Sequence, residues 1–284
     1  MQNSVPFLTV KDYSVSGESF NLIYNESLDL LETSPKPSDN NLSAYYKSED
    51  YISHTDSKRN LFESVYHVVR SIALNRKLKL INSFASKGKS LLDVGCGTGD
   101  FLKTAQSSGW NVTGVEPNDS ARTIANQKTT NAVFDVAHLD TLSKSQFDVI
   151  TLWHVLEHLP DLDQQLEKFK TLLKPNGVLV IAVPNYKSYD AVYYKEYWAA
   201  FDVPRHLWHF SQTSIKRLGE KFQFNLEKVL PMKFDAYYVS LLSEKHKSGK
   251  MNVISGFFRG WLSNLKAMSS SEYSSLIYVL KKNE

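Results

Sequence analysis

From Lys89 onward, short apolar runs and helical stretches take turns along the chain. SLLDVG is followed by FLKTAQ, NVTGVE by ARTIANQ, then AVFDV, then FDVITLWHV by LDQQLEKFKTLL and GVLVIAV. Strands alternating with helices form βαβ units, because parallel neighbours need a crossover connection. The chain is thereby restricted to an α/β fold built on a parallel sheet. The helix over 161–173 puts Leu162, Leu166, Phe169 and Leu173 on one face. It stops at Lys174-Pro175-Asn176-Gly177, which turns the chain into the strand Val178–Val183. SSLIYVLKK reads as a final strand.

Residues 1 to about 40 are weakly patterned and end in SPKPSDNN, a linker composition. Leu61, Val65, Val68, Val69 and Ile72 recur at helical spacing and predict one apolar face of a capping helix that runs to about Phe84. Residues 186–270 read as aromatic and irregular, with several helices.

The strongest local feature is Leu91-Leu92-Asp93-Val94-Gly95-Cys96-Gly97-Thr98-Gly99-Asp100. An apolar strand enters a turn with three alternating glycines and leaves it as a helix. Glycine lets the backbone take unusual dihedrals and lets a ligand approach with no Cβ in the way. Glu116 follows at the end of the second strand, where a carboxylate accepts hydrogen bonds from both hydroxyls of a ribose. A dinucleotide fingerprint, G-x-G-x-x-G, would need its third glycine where Asp100 stands, and a carboxylate there repels a pyrophosphate. Acids on both sides of the turn favour a ligand that brings positive charge. S-adenosylmethionine, with its ammonium and sulfonium, meets that requirement.

This stretch resembles the first motif of the class I, Rossmann-like S-adenosylmethionine-dependent methyltransferases. Glu116-Pro117-Asn118 is similar to their second motif, Phe147–His158 to their fourth strand, and Leu172–Leu179 to the approach to their fifth. The landmarks cover about residues 89–185 in family order. They most resemble the small-molecule branch that includes the ubiquinone-biosynthesis O-methyltransferases, and Asp202-Val203-Pro204-Arg205-His206-Leu207-Trp208-His209-Phe210-Ser211 is similar to a loop of that branch. The resemblance implies a doubly wound, mostly parallel seven-stranded sheet with its last strand antiparallel. It implies S-adenosylmethionine as cofactor, with S-adenosylhomocysteine as product, and a small-molecule acceptor methylated most readily at oxygen. The domain layout it suggests is an N-terminal extension over 1–55, a helical cap over 56–88, and a methyltransferase domain over 89–284 with a lid loop at 186–210.

The resemblance also assigns residues. Gly95, Cys96, Gly97 and Gly99 lie beside the methionine and sugar. Asp93 meets the methionine amino group, and Glu116 with Pro117 the ribose. Asp135 and Val136 contact the adenine, and Leu152 and Trp153 flank the methyl-bearing end. A base is needed if the acceptor is a hydroxyl, and histidine is the natural one near neutral pH. His54, His154, His158, His206 and His209 fall near the predicted mouth, with His154, His206 and His209 as candidate catalytic residues. Packing is the competing reading for each. Residues 186–210 hold nine aromatic rings, a density expected either of core packing or of a lid over a ring-shaped acceptor. Tyr51, His54, Tyr194, Trp198, Arg205 and Trp208 are the expected lid and substrate contacts. Arg70 and Arg205 are also placed to neutralise a carboxylate on cofactor or substrate.

Some related chains carry an N-terminal zinc ribbon on paired cysteines. Residues 20–30 contain none, so a degenerate, metal-free remnant would hold together by packing alone. The single cysteine, Cys96, excludes a disulfide framework and multi-cysteine metal sites, and no metal is expected. Lys plus Arg number 33 against 30 Asp plus Glu, and no block of like charge stands out, so neither a nucleic acid nor an anionic membrane is suggested as partner. There is no apolar run of about 18 residues to span a bilayer and no signal-peptide layout, so a cytoplasmic location is expected. Two rival functions stay open: a nicotinamide-dependent oxidoreductase on a related fold, and a cofactor-binding module without chemistry. Oligomeric state stays open as well.

Overall fold

The computed structural model describes residues 5–38, 43–46, 61–85 and 88–283. Its main sheet is assembled from β4 (Ser90–Val94), β5 (Asn111–Val115), β6 (Val133–Phe134), β7 (Phe147–Trp153), β8 (Leu173–Pro184), β10 (Phe224–Pro231) and β11 (Ser275–Lys282). Their spatial order is β10-β11-β8-β7-β4-β5-β6. Strands β4 to β8 run parallel, while β11 is antiparallel to both β8 and β10. Seven strands with the last antiparallel match the expectation. Strand β10 lies in the stretch that read as irregular, because its residues are mostly polar or half-exposed at the sheet edge.

The near-continuous apolar runs of β4, β7 and β8 reflect burial on both faces. Leu92, Val94, Ile150, Leu152, Leu179 and Ile181 pack under α4 (Leu162–Leu172) and α6 (Gln212–Lys221). Leu91, Val149, Val178 and Val180 point the other way, toward α1 (Leu61–Asn82), α2 (Asp100–Ser107) and α3 (Asp119–Thr129). Helix α1 meets this layer with Leu74, Leu78 and Ile81. Val68 and Ile72, on the face predicted to be buried, are exposed, because the C-terminal half of the helix turns a different stripe to the sheet. No helix among the described residues is long and apolar enough to cross a membrane.

The N-terminal residues build a second sheet: β1 (Leu8–Lys11), β2 (Ser19–Asn25) and β3 (Leu30–Ser34), to which β9 (Trp208–His209) adds from the far side of the chain. Between this ribbon and the aromatic segment lies a separate core of Val10, Phe20, Leu22, Leu31, Tyr194, Trp198 and Phe201. Polar contacts of the buried Asp29 reinforce it. Asp29 accepts from Lys187 Nζ and Ser211 Oγ, each at 2.6 Å. The ribbon and residues 186–210 thus share one core. Helix α5 (Tyr189–Tyr194) belongs to that aromatic segment, and α7 (Asp235–Ser248) and α8 (Val253–Ser270) form a helical pair inserted between β10 and β11.

Candidate active site

Strand order reverses at β4, which has β5 on one side and β7 on the other. In open α/β sheets ligands bind outside the carboxyl ends of the strands at this point. Here β4 ends in the glycine turn. Gly95, Gly97 and Gly99 all take positive φ, at 67°, 55° and 76°. They differ in what surrounds them. A Cβ on Gly99 would lie 2.8 Å from the Cβ of Ala125 and 2.9 Å from its Cα, so the approach of α3 requires glycine there. A Cβ on Gly97 would meet no atom of the described residues within 4 Å beyond its chain neighbours. The middle glycine therefore keeps a cradle open, as a bound nucleoside requires.

Glu116 stands at the rim of that cradle with 8% of its surface exposed. Its two oxygens accept the backbone N–H groups of Gly97 at 2.9 Å and Asn118 at 3.0 Å. A carboxylate has about four lone-pair sites, so capacity for ribose hydroxyls remains. Asp93 is buried and accepts Thr151 Oγ1 at 2.6 Å. Burial pushes its carboxyl up to about 7. Lys77 of α1 faces this acid, and burial pulls its ammonium down although Asp93 and Asp235 oppose the shift. The Lys77 Nζ also sits 4.3 Å from the centroid of the Trp153 ring. The buried Trp153 Nε1–H has no hydrogen-bond acceptor among the described residues. An open cradle, two acids and an orphaned donor fit a nucleoside that carries an amino acid.

The other cofactor residues are placed as follows. Asp135 and Val136 are exposed just beyond β6, beside Phe134, which stacks on His138 with ring centroids 3.9 Å apart. Pro117 is exposed, and its carbonyl accepts from Arg122 at 3.1 Å. Leu152 is wholly buried in the core, so Trp153 alone of that pair reaches the crevice. Cys96 packs over Gly114, and burial pushes its thiol up, which leaves no nucleophile. Asp100 does not present its charge to the ligand. Lys128 Nζ at 2.9 Å and the Arg70 guanidinium neutralise it, so Asp93 and Glu116 are the acids beside the glycine turn that carry no ion pair with a cation of the described residues.

His154 follows β7 with φ of 57°. Its Nε2 lies 3.1 Å from Asp235 Oδ2 and its Nδ1 3.4 Å from Glu157 Oε1. Burial disfavours the imidazolium, but the two carboxylates outweigh it and hold the ring up at about 10. His154 therefore rests protonated, where a neutral base was expected. Glu157 is fully buried, and apart from His154 neither of its oxygens has a partner among the described residues. Glu157, His158 and His206 are the one group among the described residues whose ligand atoms, lying within 4.8 Å of one another, would converge on a cation.

The lid histidines are structural in their surroundings. His209 Nε2 meets Thr33 Oγ1 at 3.0 Å, and burial drives its pKa well below the ordinary value. His206 is buried with Nδ1 2.9 Å from the Ala200 carbonyl. Burial takes His158 down to about 4. Arg205 donates to Asp12 at 2.9 Å and to Asp202 at 2.7 Å, joining ribbon to loop instead of binding a ligand. Tyr194 donates to Glu244 at 2.9 Å and Trp198 to Asp190 at 2.8 Å, both wholly buried. Trp208 donates to the Leu159 carbonyl at 2.7 Å. The ring-rich segment is core because the N-terminal ribbon covers it. Tyr51 and His54 lie outside the described residues. Asp235 and Lys77, which stand beside His154 and Asp93, carry no sequence signal that marks them, and Thr151 was not singled out either, although it is a hydroxyl within an otherwise apolar strand end.

Three comparisons bear on this site. A family model described as a methyltransferase domain matches residues 68–229. Ubiquinone biosynthesis O-methyltransferases from Coxiella burnetii and Actinobacillus pleuropneumoniae are 35% and 40% identical over 111 and 110 residues, 36% and 34% of this chain. The chain spans 47% of the length of each of these relatives. Among solved structures, an S-adenosylmethionine-dependent methyltransferase from Archaeoglobus fulgidus aligns with a TM-score of 0.52 at 18% identity, over 78% of this chain and 100% of its own. Phosphoethanolamine N-methyltransferase 2 of Haemonchus contortus, in complex with S-adenosyl-L-methionine, aligns at 0.51 and 20% identity, over 74% of this chain and 53% of its own. At these identities the two structures speak for the fold alone.

Proposed function

Since the chain belongs to the class I S-adenosylmethionine-dependent methyltransferases, we propose that it methylates a small-molecule acceptor at a hydroxyl oxygen, with His154 as the base. Transfer to oxygen is supported by the O-methyltransferases that share about a third of this chain. The observation that carries the role of His154 is its place: it directly follows β7, a third of its side chain is exposed, and two carboxylates stand behind it. In this reading the Gly97 cradle and Glu116 hold the nucleoside, and Asp93 receives the amino group. When bound, the sulfonium supplies an electrophilic methyl group. Asp235 and Glu157 orient the imidazole of His154 and raise its basicity to that of a phenol, whose pKa is also about 10. Equal pKa values let a proton pass between acceptor and base with little free-energy change. The lid histidines His206 and His209 are buried, whereas a third of the His154 side chain is exposed, so His154 is the one placed to meet an acceptor.

The nicotinamide alternative is set aside by the family. The test is incubation with S-adenosylmethionine and separate panels of ring phenols, aliphatic alcohols and primary amines. S-adenosylhomocysteine release and product mass are followed by mass spectrometry. Methyl ethers of phenols are expected, with kcat/KM rising with pH toward about 10. Turnover of amines alone, or a profile flat over that range, contradicts the reading.

A further inference from the structure

Helix α8 is built inside out. The residues it turns inward are Gly256, Gly260, Ser263 and Ala267, all small. A Cβ on Gly260 would lie 2.7 Å from the Cα of Tyr237, so the backbones of α7 and α8 touch and leave no room for large side chains between them. The large apolar residues face out instead. Ile254, Phe257, Phe258, Trp261, Leu265 and Met268 are between 45% and 84% exposed. At helical spacing they fall within an arc of about 100°, the width of a buried stripe on an ordinary amphipathic helix. Met251 in the preceding turn and Tyr238 on α7 extend the patch. Single exposed apolar residues need no explanation, whereas a contiguous stripe marks a surface that meets a partner.

The charges of the hairpin say which partner. Residues 232–270 carry six cations, Lys233, Lys245, Lys247, Lys250, Arg259 and Lys266, against two acids, Asp235 and Glu244. Both acids are turned inward: Asp235 pairs with His154, and Glu244 accepts from Tyr194 and Ser255. Arg259 stacks on the Tyr193 ring, and the five lysines are exposed, so the outward charge of the hairpin is positive. Two copies of such a face would bring like charges together. A layer with an apolar interior and anionic head groups complements both features, and α8, at 18 residues with Arg259 and Lys266 to one side of the stripe, has the form of a helix that lies in the interface plane. We propose that the α7–α8 hairpin docks this protein on an anionic phospholipid surface, with the Ile254–Met268 stripe inserted among the acyl chains. The near-balanced charge of the whole chain conceals this local excess, which is why an anionic membrane was not suggested by composition.

The test uses the full chain and sedimentation with vesicles of phosphatidylcholine alone or mixed with about one-third phosphatidylglycerol, since each cation near an anionic surface strengthens binding about fivefold. Binding to the mixed vesicles, weakened at least tenfold by a Phe257→Glu/Trp261→Glu double variant and several-fold by Lys250→Glu/Lys266→Glu, supports the proposal. Calorimetric binding of S-adenosylmethionine by both variants shows that they are folded. Absence of sedimentation with either vesicle overturns the proposal, as does equal binding to both. A wild-type dimer in light scattering that Trp261→Glu converts to monomer, with no vesicle binding, also overturns it and assigns the stripe to self-association.

Discussion

Replacing Asp235 with asparagine removes one of the two carboxylates beside His154 and preserves the shape of the side chain. Of the two ion pairs that His154 makes, this one, at 3.1 Å, is the closer. An opposite charge this close moves a pKa by about 1–3 units. The side chains are 35% and 23% exposed, so water screens the pair and the lower half of that range applies. The imidazole of His154 is expected to titrate about 1–2 units below its wild-type midpoint of about 10. Its folded value stands above the ordinary 6.5. The carboxylate pairs therefore stabilise the fold fully below that pH, and their contribution fades as pH rises toward about 10. After screening, the substitution costs about 1 kcal/mol of stability at neutral pH and close to nothing in strong alkali. Carbon-13 spectra of labelled histidine rings, with His154 assigned through His154→Gln, give the midpoints directly. A wild-type ring that titrates near 6.5, or an Asp235→Asn midpoint that does not move, would refute the reasoning. If His154 is the base, the rising limb of kcat/KM shifts by the same amount.

Glu116→Ala is expected to weaken S-adenosylmethionine binding by about 1–3 kcal/mol, because it leaves hydroxyls and two backbone donors without their acceptor; isothermal calorimetry reads this. Gly97→Ala should lower stability by only about 1–2 kcal/mol, the cost of a left-handed alanine, yet impair cofactor binding by filling the cradle. Gly99→Ala adds a clash with Ala125 and should lower the thermal midpoint distinctly more. Arg205→Ala removes the guanidinium that pairs with the buried Asp12 and with Asp202, leaving Asp12 the N–H donors of Ser14, Val15 and Ser16 but no cation, and is expected to cost about 3–5 kcal/mol, with proteolysis of the N-terminal ribbon preceding cleavage of the main sheet.

What could be read from the sequence was what neighbouring residues determine together. The period of the apolar runs fixed strand and helix order, because both faces of β4, β7 and β8 are covered and most positions in them are apolar. The glycine turn and Glu116 were legible because a backbone cradle needs residues at set spacings. The aromatic segment was half legible: its nine rings announced burial but not what buries them. That partner is the N-terminal ribbon, whose contact through Asp12 and Arg205 joins positions far apart in the chain. The charge state of His154 was invisible for the same reason. A histidine after a strand reads as a base until Asp235, from another part of the chain, is seen beside it. Asp100, at the start of α2, is held by Lys128 and Arg70, positions that lie well away from it along the chain.

Helix α7 joins the two surfaces of the molecule. Its first residue, Asp235, holds His154, while its first two turns, at Ala236–Tyr237 and Leu241, receive the glycine face of α8. Because Gly256 and Gly260 bring the backbones into contact, a displacement of α8 cannot be absorbed by side-chain rotation and passes to α7. The pair interaction between His154 and Asp235 falls with their separation, so a shift of about 1 Å at the start of α7 is enough to weaken the hold on the imidazolium. A protein whose hairpin is engaged at its outer stripe would then carry a His154 of different basicity from one whose hairpin is unengaged. The same histidine titration that tests Asp235→Asn, repeated with and without anionic vesicles, measures that coupling, and identical midpoints would show that the hairpin and the site act independently.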